Sequence, residues 1–314
     1  MSARDWPNFY SKDRVGAVYN PHIQTAVNEG LKTGWKAAGH DRLKDRVALL
    51  IIDAQIGFVH TLPALSISGA IEDMRRLLAL IAHEGYRISL VMMSYDAHPV
   101  IMISFPNWWR DKDGQMPAPF SSISYTDVKS GKWQAIMSPD WSRFCLEELS
   151  KGNRGKLTIW PYHCLEGSEE SCIIPPLLEM VAYHSAARNV CPVLIRKGHL
   201  AQTEFYSPFK PEIEVPSHPD GELNRAVLNS LVDCGEIWVA GEASSHCVLE
   251  GLRTMVEYFR IDRPWVLENV RVLTDCMSPV PHPEDLYKKE AQAELEKMSK
   301  DWGIKLVKST DLYT

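Results

Sequence analysis

Val47–Ile52 reads VALLII, six apolar residues with no polar break, closed by Asp53. A strand that is apolar on both sides needs both faces of its sheet covered, and that is the environment of a parallel sheet. Similar runs return at Ile88–Met93, Cys191–Ile195, Ile237–Ala240, Val270–Thr274 and Ile304–Val307. The stretches between them carry helical spacing. Ile71, Met74, Leu77, Leu78 and Ile81 form one stripe, stopped by Gly85. Leu223, Val227, Leu228 and Leu231 form another, and Ser245–Phe259 and Glu284–Trp302 read as two more helices. Strands that alternate with helices predict an open α/β sheet. The chain has no internal repeat.

Two segments break this rhythm. Residues 1–46 are polar and interrupted by Pro7, Pro21 and several glycines, and are expected to be an extension that wraps the domain or meets a partner. Residues 47–314 then form the domain, with an insertion at 107–155. The insertion carries Trp108, Trp109, Trp133 and Trp141, and such tryptophan density signals buried aromatic surface rather than disorder. The formal charge is −6 and no basic stripe is present, which argues against nucleic-acid binding. The sequence has neither an apolar run of membrane-spanning length nor the apolar core of a signal peptide in residues 1–30. Seven scattered cysteines without C-x-x-C spacing fit a reduced chain, so a cytoplasmic protein with no membrane partner is expected.

Open α/β sheets bind ligands at the carboxyl ends of their strands. Asp53 ends the first strand, Asp96 and His98 follow the second, Lys197 follows the third, and Gly241–Cys247 follow the fourth. Any one of these is ordinarily a helix cap or a solvated charge. Their convergence on one rim is what points to a site. Cys247 stands where a strand turns into a helix, so the helix dipole is expected to lower its pKa, and free backbone N–H groups there could hold an oxyanion. Cys145, Cys172, Cys191, Cys234 and Cys276 are read as small core residues. Asp96-x-His98 offers a carboxylate and an imidazole to a metal. His163, in Trp160-Pro-Tyr-His-Cys164, is a third candidate that spacing alone does not connect to the pair.

Asp53-x-Gln55-x-x-Phe58, Asp96-x-His98-Pro99, Trp160-Pro-x-His163-Cys164, Lys197-Gly198 and Gly241-x-Ala243-x-x-x-Cys247-Val248 occur in the order found in nicotinamidases. From about Val47 to Thr274, apart from the insertion, the chain resembles these members of the isochorismatase-like cysteine hydrolases. The resemblance implies an open, mostly parallel six-stranded sheet with helices on both faces, in three layers. It implies Asp53, Lys197 and Cys247 as the catalytic triad, with the oxyanion held by the N–H groups of Ala243 and Cys247. It also implies Asp96, His98 and His163 as metal ligands, Phe58 and Trp160 as walls for a flat ring, and a cis peptide between Glu242 and Ala243. Ala97 stands where nicotinamidases commonly carry an aromatic residue, and Glu242 where the family tends to be apolar.

The expected activity is hydrolysis of nicotinamide, or a close pyridine carboxamide, to the acid and ammonia through a thioester. One divalent metal ion is expected, zinc or iron, with manganese also compatible with the donor set. The partners expected are a small amide substrate and further copies of the chain. Two alternatives stay open: a related cysteine amidase acting on another small amide or ureido compound, and a non-catalytic binding or scaffold homologue. The intact Asp53, Lys197 and Cys247 argue against the latter. The insertion separates His98 from His163 by 65 positions, so it is expected to sit over or beside the mouth of the site.

Overall fold

A computed structural model describes residues 6–35, 45–152, 155–282 and 286–314. The central sheet has six strands, all parallel: β1 (Val47–Ile52), β2 (Ile88–Asp96), β3 (Val193–Lys197), β4 (Glu236–Gly241), β5 (Val270–Leu273) and β6 (Lys305–Val307), in the order β6-β5-β4-β1-β2-β3. β1 sits at the centre and is buried along its whole length. Its residues divide by the pleat. Leu49 and Ile51 join one apolar cluster, while Ala48, Leu50 and Ile52 join another on the opposite face.

The helices cover both faces, as the apolar strands require. The longer ones are α1 (Ile23–Thr33), α2 (Ala70–Glu84), α3 (Pro139–Lys151), α4 (Pro175–Arg188), α5 (Cys247–Phe259) and α6 (Leu286–Trp302). Leu77, Leu78 and Ile81 of α2 and Leu177, Met180 and Val181 of α4 build one core. Leu252, Met255 and Phe259 of α5 with Leu295 and Met298 of α6 build the other. The start expected for the last helix, Glu284, lies outside the described residues, as do 1–5, 36–44, 153 and 154. No helix among the described residues is long and apolar enough to cross a membrane.

Two sequence expectations need revision, and one helix, α4, is not among those read from the sequence. α4 carries apolar residues almost all round, so it shows no amphipathic stripe to read. The third strand runs Val193–Lys197, so Lys197 is its last residue and Cys191 falls outside it. Cys172 and Cys191 are exposed rather than in the core, because each lies in a connection, one after a turn and one ahead of β3.

The described part of the 1–46 segment packs on α4. Glu179 accepts hydrogen bonds from the Tyr19 hydroxyl (2.9 Å) and the His22 N–H (2.7 Å), and α1 approaches α4 closely at Gly30. The 107–155 segment has a core of its own. Ser122–Ser124 pairs antiparallel with Lys156–Thr158, and α3 closes over Trp108, Trp109, Ile123 and Leu157. Trp108 Nε1 donates to Ser142 Oγ (2.9 Å) and Trp109 Nε1 to the Ile103 carbonyl (2.7 Å), so both indoles are buried with their polar atoms satisfied.

Leu50 is fully buried at the centre of β1. Leu50→Ala is expected to lower stability by about 2–5 kcal/mol, the cost of an unfilled core site; urea denaturation measures it.

Candidate active site

Sheet register gathers the reactive residues. Asp96 pairs directly with Lys197 across β2 and β3, and Ile52 pairs with Gly241 across β1 and β4. Asp53, Asp96, Lys197 and the turn leading to Cys247 therefore lie on one rim. Gly241 is required at that rim, since its φ is +117° and a Cβ there would meet the Ile52 carbonyl oxygen at 1.9 Å. The peptide that follows, Glu242–Ala243, is cis. The chain then enters α5 at Cys247, whose N–H belongs to the first helical turn and has no carbonyl within the helix to bond.

Lys197 is the hub of the site. It is 1% exposed, and its Nζ lies 2.8 Å from Asp53 Oδ2, 2.7 Å from Asp96 Oδ1, 2.9 Å from the Phe205 carbonyl oxygen and 3.5 Å from Cys247 Sγ. Burial works against its charge, but Asp53 and Asp96 outweigh burial and hold the ammonium well above the ordinary lysine range. Burial raises Asp53 to about 6, with Lys197 pulling against it and Asp96 adding to it. Burial also opposes the charge on Asp96, yet Lys197 and the two imidazoles bring that carboxyl below its usual value. Burial pushes the Cys247 thiol well above its ordinary value; Lys197 opposes this, and Asp53 and Asp96 add to it. The thiol depression expected from the helix dipole is therefore overturned, because desolvation of a buried thiolate exceeds what a helix terminus returns. Burial thus favours the neutral thiol at Cys247, 3.5 Å from Lys197 Nζ.

Asp96, His98 and His163 present ligand atoms that all lie within 4.8 Å of one another. His98 Nδ1 meets the Gly198 carbonyl at 2.9 Å and His163 Nδ1 meets the Pro161 carbonyl at 2.8 Å. Carbonyls accept, so both Nδ1 atoms carry protons and both Nε2 lone pairs are free; such outer contacts orient metal-binding imidazoles. Burial takes His163 down to about 3, which keeps it neutral. Two imidazoles and a carboxylate fit a divalent cation of zinc or iron type.

Phe58 and Trp160 line one cavity together with His163, Ala243, Cys247, Leu65, Ile67 and Val280. The cavity is tight, with a volume of about 30 Å³. Trp160 is fixed by donating from Nε1 to the Tyr206 hydroxyl (3.0 Å), and it meets His246 edge-on.

Further residues carry the site that motif reading assigned no role. Gln55 clamps Asp96 at both ends, Nε2 donating to its carbonyl and Oε1 accepting from its N–H, each at 2.7 Å. Ser94 Oγ donates to Asp53 Oδ1 (2.6 Å). Glu204 lines the cavity with one carboxylate oxygen, Oε2, buried and without a hydrogen-bond partner. The only sequence signal for Glu204 is a charge placed directly before Phe205 and Tyr206 in a stretch without periodicity. No described residue of the insertion lines the cavity. The insertion stands beside it, where the Phe120 ring meets Trp160 and Trp141 Nε1 donates to the Gln202 carbonyl (2.9 Å) on the loop that carries Glu204 and Phe205.

Solved structures share the fold of this chain. The yeast nicotinamidase superposes with a TM-score of 0.56 at 18% identity, over 83% of this chain and 99% of that one. The chain has the nicotinamidase fold. The same yeast enzyme bound to the inhibitor nicotinaldehyde gives 0.57 at 18% identity, over the same shares of both chains. A nicotinamidase/pyrazinamidase from Acinetobacter baumanii gives 0.54 at 18% identity, over 86% of this chain and 98% of that one. Neither a family model nor a curated protein sequence matches the chain.

Gly198 has φ +74°, and a Cβ there would lie 2.5 Å from His98 Cε1 and 2.8 Å from Asp96 Oδ1. Gly198→Ala is expected to lower stability by about 1–3 kcal/mol through backbone strain alone, with the clash adding to it. Urea denaturation of the two proteins, side by side, checks this.

Proposed function

We propose that this chain is a cysteine amidase that hydrolyses nicotinamide, or a close pyridine carboxamide, to the acid and ammonia. The observation that carries the reading is the set around Lys197. One buried ammonium contacts two carboxylates and the Cys247 thiol, at the edge of a small cavity walled by Phe58 and Trp160. The shared fold supports it. A planar aromatic ring suits such walls.

In this reading Asp53 takes the proton of Cys247, and the sulfur attacks the amide carbon. Lys197 offsets the negative charge that passes between Asp53 and the sulfur. The N–H groups of Ala243 and Cys247 receive the oxyanion. Asp53 returns its proton to the departing nitrogen, which leaves as ammonia, and water then cleaves the thioester to the acid. Asp96, His98 and His163 would hold a divalent cation. Bound there, it supplies Lewis acidity and offsets the surplus negative charge of two carboxylates facing one ammonium. Gln55 and Gly198 keep Asp96 and His98 in place for it. The domain at 47–314 carries the reaction, the insertion at 107–155 braces its flank, and the free cysteines suit the cytoplasm.

The direct test is ammonia release from a panel containing nicotinamide, pyrazinamide and small aliphatic amides and ureido compounds. Nicotinamide is expected to turn over, and Cys247→Ala is expected to abolish turnover without loss of fold. Turnover of aliphatic or ureido compounds with both pyridine-type amides inert would assign a different amidase activity. Activity equal to the parent in Cys247→Ala would refute the cysteine mechanism.

The base must be ionised, and Asp53 is raised to about 6. Its carboxylate is present above that pH and is lost as pH falls through it. The rate is therefore expected to drop about tenfold per pH unit below roughly 6. A pH–rate profile flat from 7 down to 4 would remove Asp53 from that role.

A further inference from the structure

Residues 198–224 join β3 to the next helical turn without a helix or strand of their own. The segment is nevertheless packed: Leu200, Phe205, Phe209 and Val215 are buried within it. It also supplies the Phe205 carbonyl that accepts from Lys197. A loop of this length, with so exacting a task, needs something to hold its two halves together.

The loop brings three metal-binding side chains to one place away from the cavity. The ligand atoms of His199, His218 and Asp220 all lie within 4.8 Å of one another. His199 follows Lys197 by two positions, while His218 and Asp220 lie in the far half of the loop. A compact turn sets the latter pair: the Val215 N–H donates to the Gly221 carbonyl (2.8 Å), and His218 and Gly221 continue the turn with bonds of 2.9 Å each. The Asp220 N–H donates to His218 Nδ1 (3.1 Å), a bond that places the imidazole beside the carboxylate and that a cation held by His218 would displace. Across the gap, His199 Nε2 is 3.1 Å from Asp220 Oδ2. The His199 side chain is only 9% exposed, and its Nδ1 is buried without a hydrogen-bond partner. The nearby cation, Arg196, is engaged by Glu166 at 2.6 Å, and Glu222 adds a second acid to the same depression.

We propose that His199, His218 and Asp220 form a second divalent-cation site, of zinc type, that fastens the two halves of the 198–224 loop. Two imidazoles and one carboxylate on a half-exposed surface leave the remaining position to water, a donor set that suits zinc. The ion takes the place of a His–Asp contact that, at the surface, contributes little by itself. Because the His199 ring packs against Phe205, with centroids 5.7 Å apart, fastening the loop also steadies the carbonyl that Lys197 uses. The site is independent of the amidase reading, since none of its ligands touches the cavity.

The test uses the full chain, stripped by a chelator and titrated with zinc against a chromophoric competitor. The parent is expected to take two equivalents. Asp220→Asn and His218→Gln should each weaken one of them at least ~10-fold and leave the other, and His163→Ala should remove that other one. Limited proteolysis supplies a second readout. In the His163→Ala background, zinc is expected to slow cleavage within 198–224, and adding His218→Gln should abolish that protection. A single equivalent in the parent that His163→Ala removes overturns the proposal. So do two equivalents unaffected by both loop variants, or a cleavage rate that zinc leaves unchanged.

Discussion

An ammonium buried with 1% exposure is tolerable only where its charge and its three donor hydrogens are met. At Lys197 the charge is met by Asp53 and Asp96, at 2.8 and 2.7 Å, and the hydrogens go to Asp96, the Phe205 carbonyl and Cys247 Sγ. The rest of the rim follows from that requirement. Two carboxylates must stand on neighbouring strands, close enough to share one cation. Burial, with Asp96 adding to it, raises Asp53 to about 6, and burial with both carboxylates raises the nearby thiol. A pair in which one acid is easily protonated and the other stays ionised is a division of labour: Asp53 can move a proton, while Asp96 keeps its charge for the imidazole side of the site.

The sheet makes this arrangement possible with little local machinery. Parallel strands end at the same edge, so side chains distant in sequence meet once the strands pair. Close backbone approach then needs glycine at two of these ends. Gly198 lets the chain after β3 lie against His98, and Gly241 lets the chain after β4 pass over the Ile52 carbonyl. Gln55 completes the frame by pairing with both backbone groups of Asp96, as a neighbouring strand would.

Around the rim, two added pieces act on a single loop. The 107–155 segment, with its own tryptophan core, hydrogen-bonds the 198–224 loop through Trp141, and the inferred cation site fastens that loop from within. The effect of both is to hold Phe205 and Glu204 against the site. Glu204 is the residue there whose chemistry is least settled by its neighbours, because it lines the cavity and one of its oxygens is buried without a hydrogen-bond partner.

The alternation of doubly apolar strands with helices was readable from residue order, because burial on two faces leaves a continuous apolar run that no surface strand carries. The positions of Asp53, Asp96, Lys197 and Cys247 at strand ends followed from the same pattern, and the motif order supplied His163, Phe58 and Trp160. α4 was not readable, since a helix buried almost all round has no polar face to mark its period. The core assignment of Cys172 and Cys191 failed because residue type does not say whether a cysteine lies in a strand or in the turn beside it. Only the tertiary structure decided the state of Cys247, where desolvation outweighs the helix dipole, and only it brought Glu204 to the cavity and His199 to His218 and Asp220. Those outcomes depend on how a loop without regular structure closes on itself, and no periodicity in the sequence encodes that closure.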